Sequence, residues 1–248
     1  MQPTRGFSAV DLGKQTNFAY DISASFTDDG EHGFDALRLR TGNRTLFKRL
    51  EMGQPLAVVE PRSVQVEDDA LIVILPRAVT SLDNVPIRVV FGTELFLLAT
   101  TFDGEAFSTD GLNLPQPIRP GDAAAAISTN SLRVLATDGT PSDAIQDLSF
   151  STPVLTPNGD GIHEQVEITY ALFRLPEAAV VELSAFTLSG LQVARLPLGN
   201  QSAGPQRTFW DGRDEGGKLL PPGIYVLGLT LQSETGVKRQ LRPLGIAY

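Results

Sequence analysis

Hydrophobic and polar residues alternate along much of the chain. In FAYDISASF, residues 18–26, the apolar side chains share one parity: Phe18, Tyr20, Ile22, Ala24 and Phe26. A period of two is that of a β-strand with one buried face. Short runs of this kind, or fully apolar ones, each bounded by turn residues, predict strands at residues 34–40, 55–60, 62–67, 70–75, 86–91, 94–100 and 131–136.

The second half of the chain continues the pattern. It predicts strands at residues 165–172, 179–187, 191–198, 206–210, 223–233 and 237–248. In the strand at 223–233, one face is expected to carry Tyr225, Leu227, Leu229 and Leu231. The segment NRTLFKRLEMG, residues 43–53, is the one candidate for a helix.

The spacing of these strands indicates the fold class and the domain organisation. Short strands at regular spacing with turn signals between them are typical of β-sandwiches. A chain of 248 residues is long enough for two domains of ordinary size. We predict an all-β protein of two tandem β-sandwich domains, immunoglobulin- or fibronectin III-like. The boundary is placed near Asp147, with an N-terminal domain of unassigned role at 1–146 and a C-terminal domain at 147–248.

Charge and composition exclude several classes of partner. The formal net charge is -9, and an acidic protein is a poor ligand for the phosphates of nucleic acid or of an anionic membrane. The chain has no cysteine, which excludes disulfides and thiolate chemistry. No apolar run is long enough to span a membrane, so membrane insertion is not expected. The first residues lack the apolar core of an export signal, so this chain is either not exported or a mature or excised fragment.

Three phrases in the second half carry a family resemblance. They are TPNGDG at residues 156–161, LSAFTLSGLQVARL at 183–196 and WDGRDEGGKLLPPGIYVLGL at 210–229. Over about residues 150–248, the chain resembles the immunoglobulin-like domain of flagellar hook-capping proteins. It also resembles the related C-terminal modules of secreted and gliding-motility-associated bacterial proteins, although His163-Glu164 stand where that group commonly has Asn-Asp. The resemblance implies a non-catalytic β-sandwich appended to an exported bacterial protein; the N-terminal half is not recognised.

The first of these phrases also fits a calcium-loop pattern. With Thr156 at position 1, the oxygen-bearing positions 3, 5 and 12 and the glycine position 6 fall on Asn158, Asp160, Glu167 and Gly161. Glu164 is a further charged ligand. Two interpretations remain open. The loop is either a calcium-stabilised turn or a rigid turn that leads into the domain, with Asn and Asp bonded to their own backbone. We favour the rigid turn.

A second acidic loop could hold a cation. The segment TDDGEHGFD offers five polar ligands within eight residues: Asp28, Asp29, Glu31, His32 and Asp35. Acidic loop tips between strands are also common without any metal. We therefore expect an ordinary solvated loop here, and the metal interpretation is the alternative.

Signatures of catalysis are scarce. The two histidines, His32 and His163, lie in turns of different domains, and no G-x-S-x-G elbow or glycine-rich phosphate loop occurs. Zinc hydrolases usually need two or three histidines in one site. Glycosidases need only two carboxylates, but no motif in the sequence identifies a catalytic pair of Asp or Glu residues. We expect no enzymatic activity and no certain cofactor.

These observations favour a structural function. The leading hypothesis is a non-catalytic segment at the C-terminal end of an exported bacterial cell-surface or secreted protein, which presents, anchors or assembles other domains or copies. Its expected partners are proteins or copies of itself. Two alternatives are a carbohydrate-binding accessory module, for which Phe102 and Phe107 are the candidate stacking residues, and a scaffold in flagellar or surface-appendage assembly. The C-terminal tail, residues 240–248, continues the strand pattern and is expected to close the second sandwich; the alternative is that it docks onto a partner.

Overall fold

The structure, a computed structural model, describes residues 10–26, 33–111, 113–123, 131–137, 143–234 and 236–248. All regular elements in these ranges are β-strands, so the predicted all-β class is confirmed. No helix long and apolar enough to cross a membrane occurs in them. The chain divides into two compact units, residues 1–139 and 140–248. The sequence places the boundary near Asp147, inside strand β13 (Ile145–Phe150), which pairs with a strand of the second unit.

In the N-terminal unit, the described strands are β1 (Val10–Asp11), β2 (Thr16–Ile22), β3 (Gly33–Arg40), β4 (Leu46–Met52), β5 (Ala57–Val59), β6 (Ser63–Val66), β7 (Ala70–Thr80), β8 (Ile87–Thr93), β9 (Ala99–Thr101), β10 (Asp103–Phe107), β11 (Gln116–Ile118) and β12 (Arg133–Thr137). They form three sheets, with strand orders β11-β10-β3-β7-β6, β2-β8-β4-β5 and β1-β12-β9.

Alternation places the predicted apolar faces of this unit in its core. Leu37 and Leu39 of β3 and Leu71 and Val73 of β7 are all fully buried. The rings of Phe18, Phe91 and Phe102 meet at centroid distances of 5.1 to 6.0 Å, so three aromatic side chains fill one part of the core together.

Two secondary-structure predictions in this unit are wrong. Residues 43–53 contain strand β4 rather than a helix, because Leu50 and Met52 reach the core at a period of two while β4 pairs with β8. Tertiary pairing here overrides helix propensity. The strand predicted at 94–100 begins only at Ala99. Before it, residues 94–98 form no strand, although the adjacent Leu95 and Phe96 are both buried.

In the C-terminal unit, the described strands are β13 (Ile145–Phe150), β14 (Val154–Leu155), β15 (Val166–Leu172), β16 (Ala179–Thr187), β17 (Gln192–Gln201), β18 (Gly204–Trp210), β19 (Gly223–Ser233) and β20 (Gly236–Ile246). Three of them form a sheet of order β13-β15-β18, and five form a sheet of order β14-β20-β19-β16-β17.

One hydrophobic core lies between these two sheets. The predicted face of β19, Tyr225 to Leu231 at every second residue, is buried in it. Trp210 is also buried, and its indole N–H donates to the Arg213 carbonyl at 3.0 Å. The tail closes the sandwich as expected. Strand β20 pairs with β19 along its whole length and places Leu244 and Ile246 in the core, while β14 pairs with its end in parallel.

Candidate functional site

The loop between β14 and β15 is closed by its own hydrogen bonds. The Glu164 carboxylate accepts from the Gly159 amide at 2.6 Å and from the Gly161 amide at 3.3 Å. Asp160 accepts from the Ile162 amide at 2.7 Å. Gly159 and Gly161 both have positive φ, 85° and 82°, which a side chain rarely tolerates. The sequence Pro-Asn-Gly-Asp-Gly therefore supplies both the backbone freedom and the acceptors that this turn needs.

The two uncharged residues of the candidate calcium set, Thr156 and Asn158, also form hydrogen bonds within this turn. The Asn158 side chain accepts from the Asp160 amide at 3.0 Å and donates to the Asp160 carboxylate at 3.2 Å. The Thr156 hydroxyl donates to the Ile162 carbonyl at 2.8 Å. Four of the five predicted ligands, Thr156, Asn158, Asp160 and Glu164, are therefore brought together in one loop.

The fifth predicted ligand does not join them. Glu167 lies on the outer side of β15, opposite in parity to the buried Val166 and Ile168, and its carboxylate pairs with Arg207 of β18. Within the described ranges, no cluster of three or more histidine, aspartate or glutamate residues is arranged to hold a metal ion. Calcium binding at this loop stays a prediction.

The second acidic loop lies mostly outside the described residues, which include only its last member, Asp35. This buried carboxylate accepts from the Thr109 amide at 2.8 Å and from the Thr109 hydroxyl at 2.7 Å, and it also pairs with Arg62. Burial acts to raise the pKa of Asp35, but the hydrogen bonds from Thr109 and Arg62 outweigh it and hold the pKa below its ordinary value. Asp35 thus ties β3 to two neighbouring loops.

The residues proposed for glycan stacking differ in exposure. Phe102 is buried against Phe18 and Phe91, so its prediction as an exposed platform is wrong. Phe102 directly follows β9, and its side chain points into the core. The surrounding segment TFDGEAF is largely polar, so the sequence suggested an exposed turn. Phe107, at the end of β10, is half-buried.

A small cavity lies beside this aromatic cluster in the N-terminal unit. Its volume is about 140 Å³, and its wall includes Phe18, Tyr20, Phe102 and Leu132. Pockets that hold cofactors or sugars usually enclose about 300 to 1,000 Å³. The Tyr20 hydroxyl has no hydrogen-bond partner among the described residues; burial, together with the charge of Asp103, raises its pKa to about 12. Tyr20 is therefore a neutral core residue at physiological pH.

The outer side of the five-stranded sheet in the C-terminal unit is the feature that sequence reasoning missed. Registry across the strands places seven apolar residues there: Val154, Val180, Phe186, Ile224, Val226, Val237 and Leu241. We call this set the apolar face. Ile224 is 59% exposed and Leu241 is 52% exposed. The segment GIYVLGLTL, residues 223–231, has apolar residues at both odd and even positions. The sequence prediction accounted only for the odd positions, which face the core.

Two neighbouring side chains make the centre of the apolar face continuous. A Cβ atom at Gly228 would lie 3.0 Å from Leu241 Cδ2 and 3.2 Å from Phe186 Cε2. Leu241 and Phe186 therefore close over Gly228 from both sides. The Arg239 guanidinium lies 5.8 Å from the centre of the Phe186 ring, and its Nε donates to Thr230 at 3.0 Å.

One carboxylate lies on this side of the sheet. Glu182 of β16 accepts from Arg195 Nε at 2.7 Å and from the Ser184 hydroxyl at 3.0 Å. The hydrogen bond from Arg195 is the main reason that the pKa of Glu182 lies below its ordinary value. The charge of Glu182 is thus neutralised within the sheet.

The outer side of the three-stranded sheet is different. Its residues include Ser149, Glu167, Thr169, Arg207 and Phe209, which we call the polar face. Here Glu167 pairs with Arg207, whose guanidinium also lies 5.5 Å from the Phe209 ring centre. A polar outer side is the usual arrangement for an antiparallel sheet with one buried face.

Comparison with known sequences supports the immunoglobulin-like assignment of this unit. Residues 162–235 match the model of the FlgD Ig-like domain. This match supports the predicted hook-capping, Ig-like family for the C-terminal part of the chain. No curated protein matches the chain in sequence. The likeness to gliding-motility-associated modules stays a prediction.

Solved structures with some likeness to the chain belong to longer proteins. Dimeric latent PorU from Porphyromonas gingivalis is 12% identical with a TM-score of 0.37, over 98% of this chain and 19% of that one. A β-glucuronidase from Parabacteroides merdae is 11% identical with a TM-score of 0.30, over 94% and 28%. A tetra-tandem repeat from the extending region of a large adhesion protein is 14% identical with a TM-score of 0.30, over 94% and 50%. At TM-scores this low, these likenesses carry no argument.

Proposed function

We propose that this chain is a non-catalytic structural or interaction segment of an exported bacterial cell-surface or secreted protein, where it presents, anchors or assembles other domains or copies. The observation that carries the proposal is the apolar face. Large exposed apolar patches on soluble proteins mark surfaces that bind other proteins or membranes. The FlgD Ig-like match supports the same role, because it concerns a module of a protein assembly at the cell surface.

Catalysis has little support from the chemistry of the described residues. His163 lies in the β14–β15 loop, where its carbonyl accepts from the Thr156 amide. Asp35, Glu167 and Glu182 are each paired with an arginine, and Asp160 and Glu164 accept from backbone amides. An acid or base in a catalytic pair needs a pKa tuned toward neutral pH, whereas the pKa values of Asp35 and Glu182 move the other way.

Two alternatives differ in their support. A scaffold role in flagellar or surface-appendage assembly is favoured by the match of residues 162–235 and is a narrower form of the proposed function. A carbohydrate-binding role has lost Phe102, one of its two candidate stacking residues, because Phe102 is buried. Retention of the protein on insoluble polysaccharides would restore that alternative.

For the TPNGDG loop, we propose the rigid turn without calcium. The acceptors that would coordinate the ion already bind backbone amides, and Glu167 is paired with Arg207. The contacts to Glu164 and Asp160 satisfy backbone N–H groups that the tight turn leaves without a strand partner.

The location of the native protein tests the proposed function. Antibodies against the purified chain can be used on cell fractions of the producing organism, and on intact cells before and after protease treatment. We expect the signal in the surface or secreted fraction and its loss from intact cells after protease. A signal confined to the cytoplasm would contradict the proposal.

A further inference from the structure

The apolar face breaks the usual rule for an outer sheet surface. Antiparallel sheets with one buried side alternate apolar residues inward and polar residues outward. In the first half of β19, the residues between the core positions are Ile224, Val226 and Gly228, and only the last two outward positions, Thr230 and Gln232, are polar. Ile224 and Val226 suit a strand, but a contiguous apolar patch on an exposed face also marks a surface that a partner covers.

The charges on the same side of the sheet are few and mostly compensated. Glu182 binds Arg195, and Arg239 lies over Phe186. Two arginines against one carboxylate leave little net charge around the apolar centre. A second surface of the same composition can therefore approach it without strong repulsion, in spite of the acidic charge of the whole chain.

The strand edges of this unit are less suited to association. Strands β17 and β18 each lie at an edge, and they carry Pro197 and Pro205. On the other side of the five-stranded sheet, β14 has only two residues and leaves most of β20 as an edge, which carries Pro243. The remaining edge strand, β13, has an irregular register between Gln146 and Ser149. Proline removes a backbone donor, and short or proline-bearing edges discourage strand addition. Contact through the face is therefore favoured over contact through an edge.

The size of the face fits a weak, reversible interface. Its three long strands, β16, β19 and β20, have nine to eleven residues each. With strands about 4.8 Å apart and about 3.3 Å per residue, they present roughly 490 Å². Two such faces together bury about 980 Å², near the lower limit of about 1,000 Å² for a specific protein interface.

We propose that a second copy of this chain covers the apolar face with its own apolar face, sheet against sheet, around a two-fold axis. Cyclic dimers are the commonest homo-oligomers, and they use one self-complementary patch on both copies. Facing sheets pack about 10 Å apart with interdigitated side chains, and Phe186 and Leu241 are the large side chains at the centre of this face. This inference rests on the proposed function and names the partner of the assembly surface.

Sedimentation equilibrium of the purified chain and of three aspartate variants tests the proposal. Leu241→Asp and Ile224→Asp place a charge on the apolar face, whereas Phe209→Asp places one on the polar face at a side chain of similar exposure, 50% against 52% for Leu241. We expect a reversible dimer whose dissociation constant rises by about tenfold or more in the first two variants. The control variant should remain within about twofold of the original chain.

A second measurement does not depend on a destabilising charge. Because the chain has no cysteine, Leu241→Cys and Phe209→Cys each introduce one thiol. Under mild oxidation we expect the first variant to form a disulfide-linked dimer faster than the second. Equal rates, a monomer at all concentrations, or a dimer weakened only by Phe209→Asp would each overturn the proposal. Such a result leaves the proposed function standing, since that fails only if the native protein stays inside the cell.

Discussion

On the outer side of the three-stranded sheet, Thr169, Glu167 and Arg207 meet the solvent, whereas on the outer side of the five-stranded sheet Ile224, Val226 and Leu241 do. Both sheets belong to the same sandwich and share one core. Folding the sandwich requires only the inward faces, so it does not explain the apolar residues on one outer face. The difference between the two outer faces therefore indicates that the five-stranded sheet has a role beyond folding, namely the binding of a partner.

Each face also carries one glutamate–arginine pair, which makes the comparison sharper. The Glu182 side chain on the apolar face is 17% exposed, and the Glu167 side chain on the polar face is 29% exposed. The glutamate of the ion pair is therefore less exposed to water on the side of the apolar face than on the polar face. Interactions between charges strengthen as water is excluded, so we expect the two pairs to differ in their contribution.

The largest effect should come from deleting residues 243–248. The deletion removes Leu244 and Ile246 from the core and takes away the partner of β14, so it dismantles the sheet behind the apolar face. We expect the free energy of unfolding of this unit to fall by more than about 3 kcal/mol, the scale of one large core truncation. Thermal melts followed by the fluorescence of Trp210, the sole tryptophan, measure it.

Removing Tyr248 alone is the control for this deletion, because its side chain is largely exposed. That variant should melt close to the original chain. An unchanged melting temperature after deletion of 243–248 would mean that the tail serves a partner rather than the fold.

Removing the carboxylate from each face gives the next effect. Glu182→Ala leaves Arg195 and Arg239 without their counter-ion and should lower the free energy of unfolding by more than Glu167→Ala does. Glu167→Ala releases an exposed Arg207 and should cost less than about 1 kcal/mol. Urea denaturation of both variants and of Arg207→Ala measures the difference. An equal cost on the two faces would refute the contrast between their surroundings.

Acid should weaken the pair on the apolar face by a smaller amount. The folded pKa of Glu182 lies below its unfolded value, so its stabilisation is fully present above about pH 4.3 and is lost as the pH falls through the folded pKa. We expect the urea midpoint reported by Trp210 to fall across this window. In Glu182→Gln, which cannot ionise, the fall should be shallower. Identical pH profiles for the two proteins would rule out this linkage.

The smallest effect is expected from calcium. With the TPNGDG acceptors bound to backbone amides, melts in excess EDTA and in millimolar calcium should superimpose. A site at one hundred times its dissociation constant would instead stabilise the fold by about 2.7 kcal/mol. An upward shift that Asp160→Ala abolishes would establish the calcium interpretation.

Much of the fold follows from the sequence because strand periodicity is a local signal. The alternation around Val166 and Ile168 fixes which side of β15 is buried, and the structure agrees. The segment 94–98 was less predictable, since consecutive apolar residues such as Leu95 and Phe96 fit a central strand and a buried loop equally well.

The candidate site was harder to predict than the fold. In β19, Tyr225 and Leu227 on the inner side are enough to predict a core-facing strand. The apolar residues on the outer side, Ile224 and Val226, need a separate explanation. Only the register with β20, which brings Leu241 beside Gly228, shows that these residues join across strands. Local periodicity does not determine which strands pair or in what register. The apolar face could therefore be identified only from the structure.

Oxidative footprinting across a range of protein concentrations tests the central claim most directly. Hydroxyl radicals label exposed side chains, and Leu241 and Phe209 are matched at 52% and 50% exposure on the two faces. The account predicts that labelling of Leu241 and Ile224 falls as concentration rises, while labelling of Phe209 stays constant. Constant labelling of all three residues, from the most dilute to the most concentrated sample, would contradict the claim that a second copy covers the apolar face.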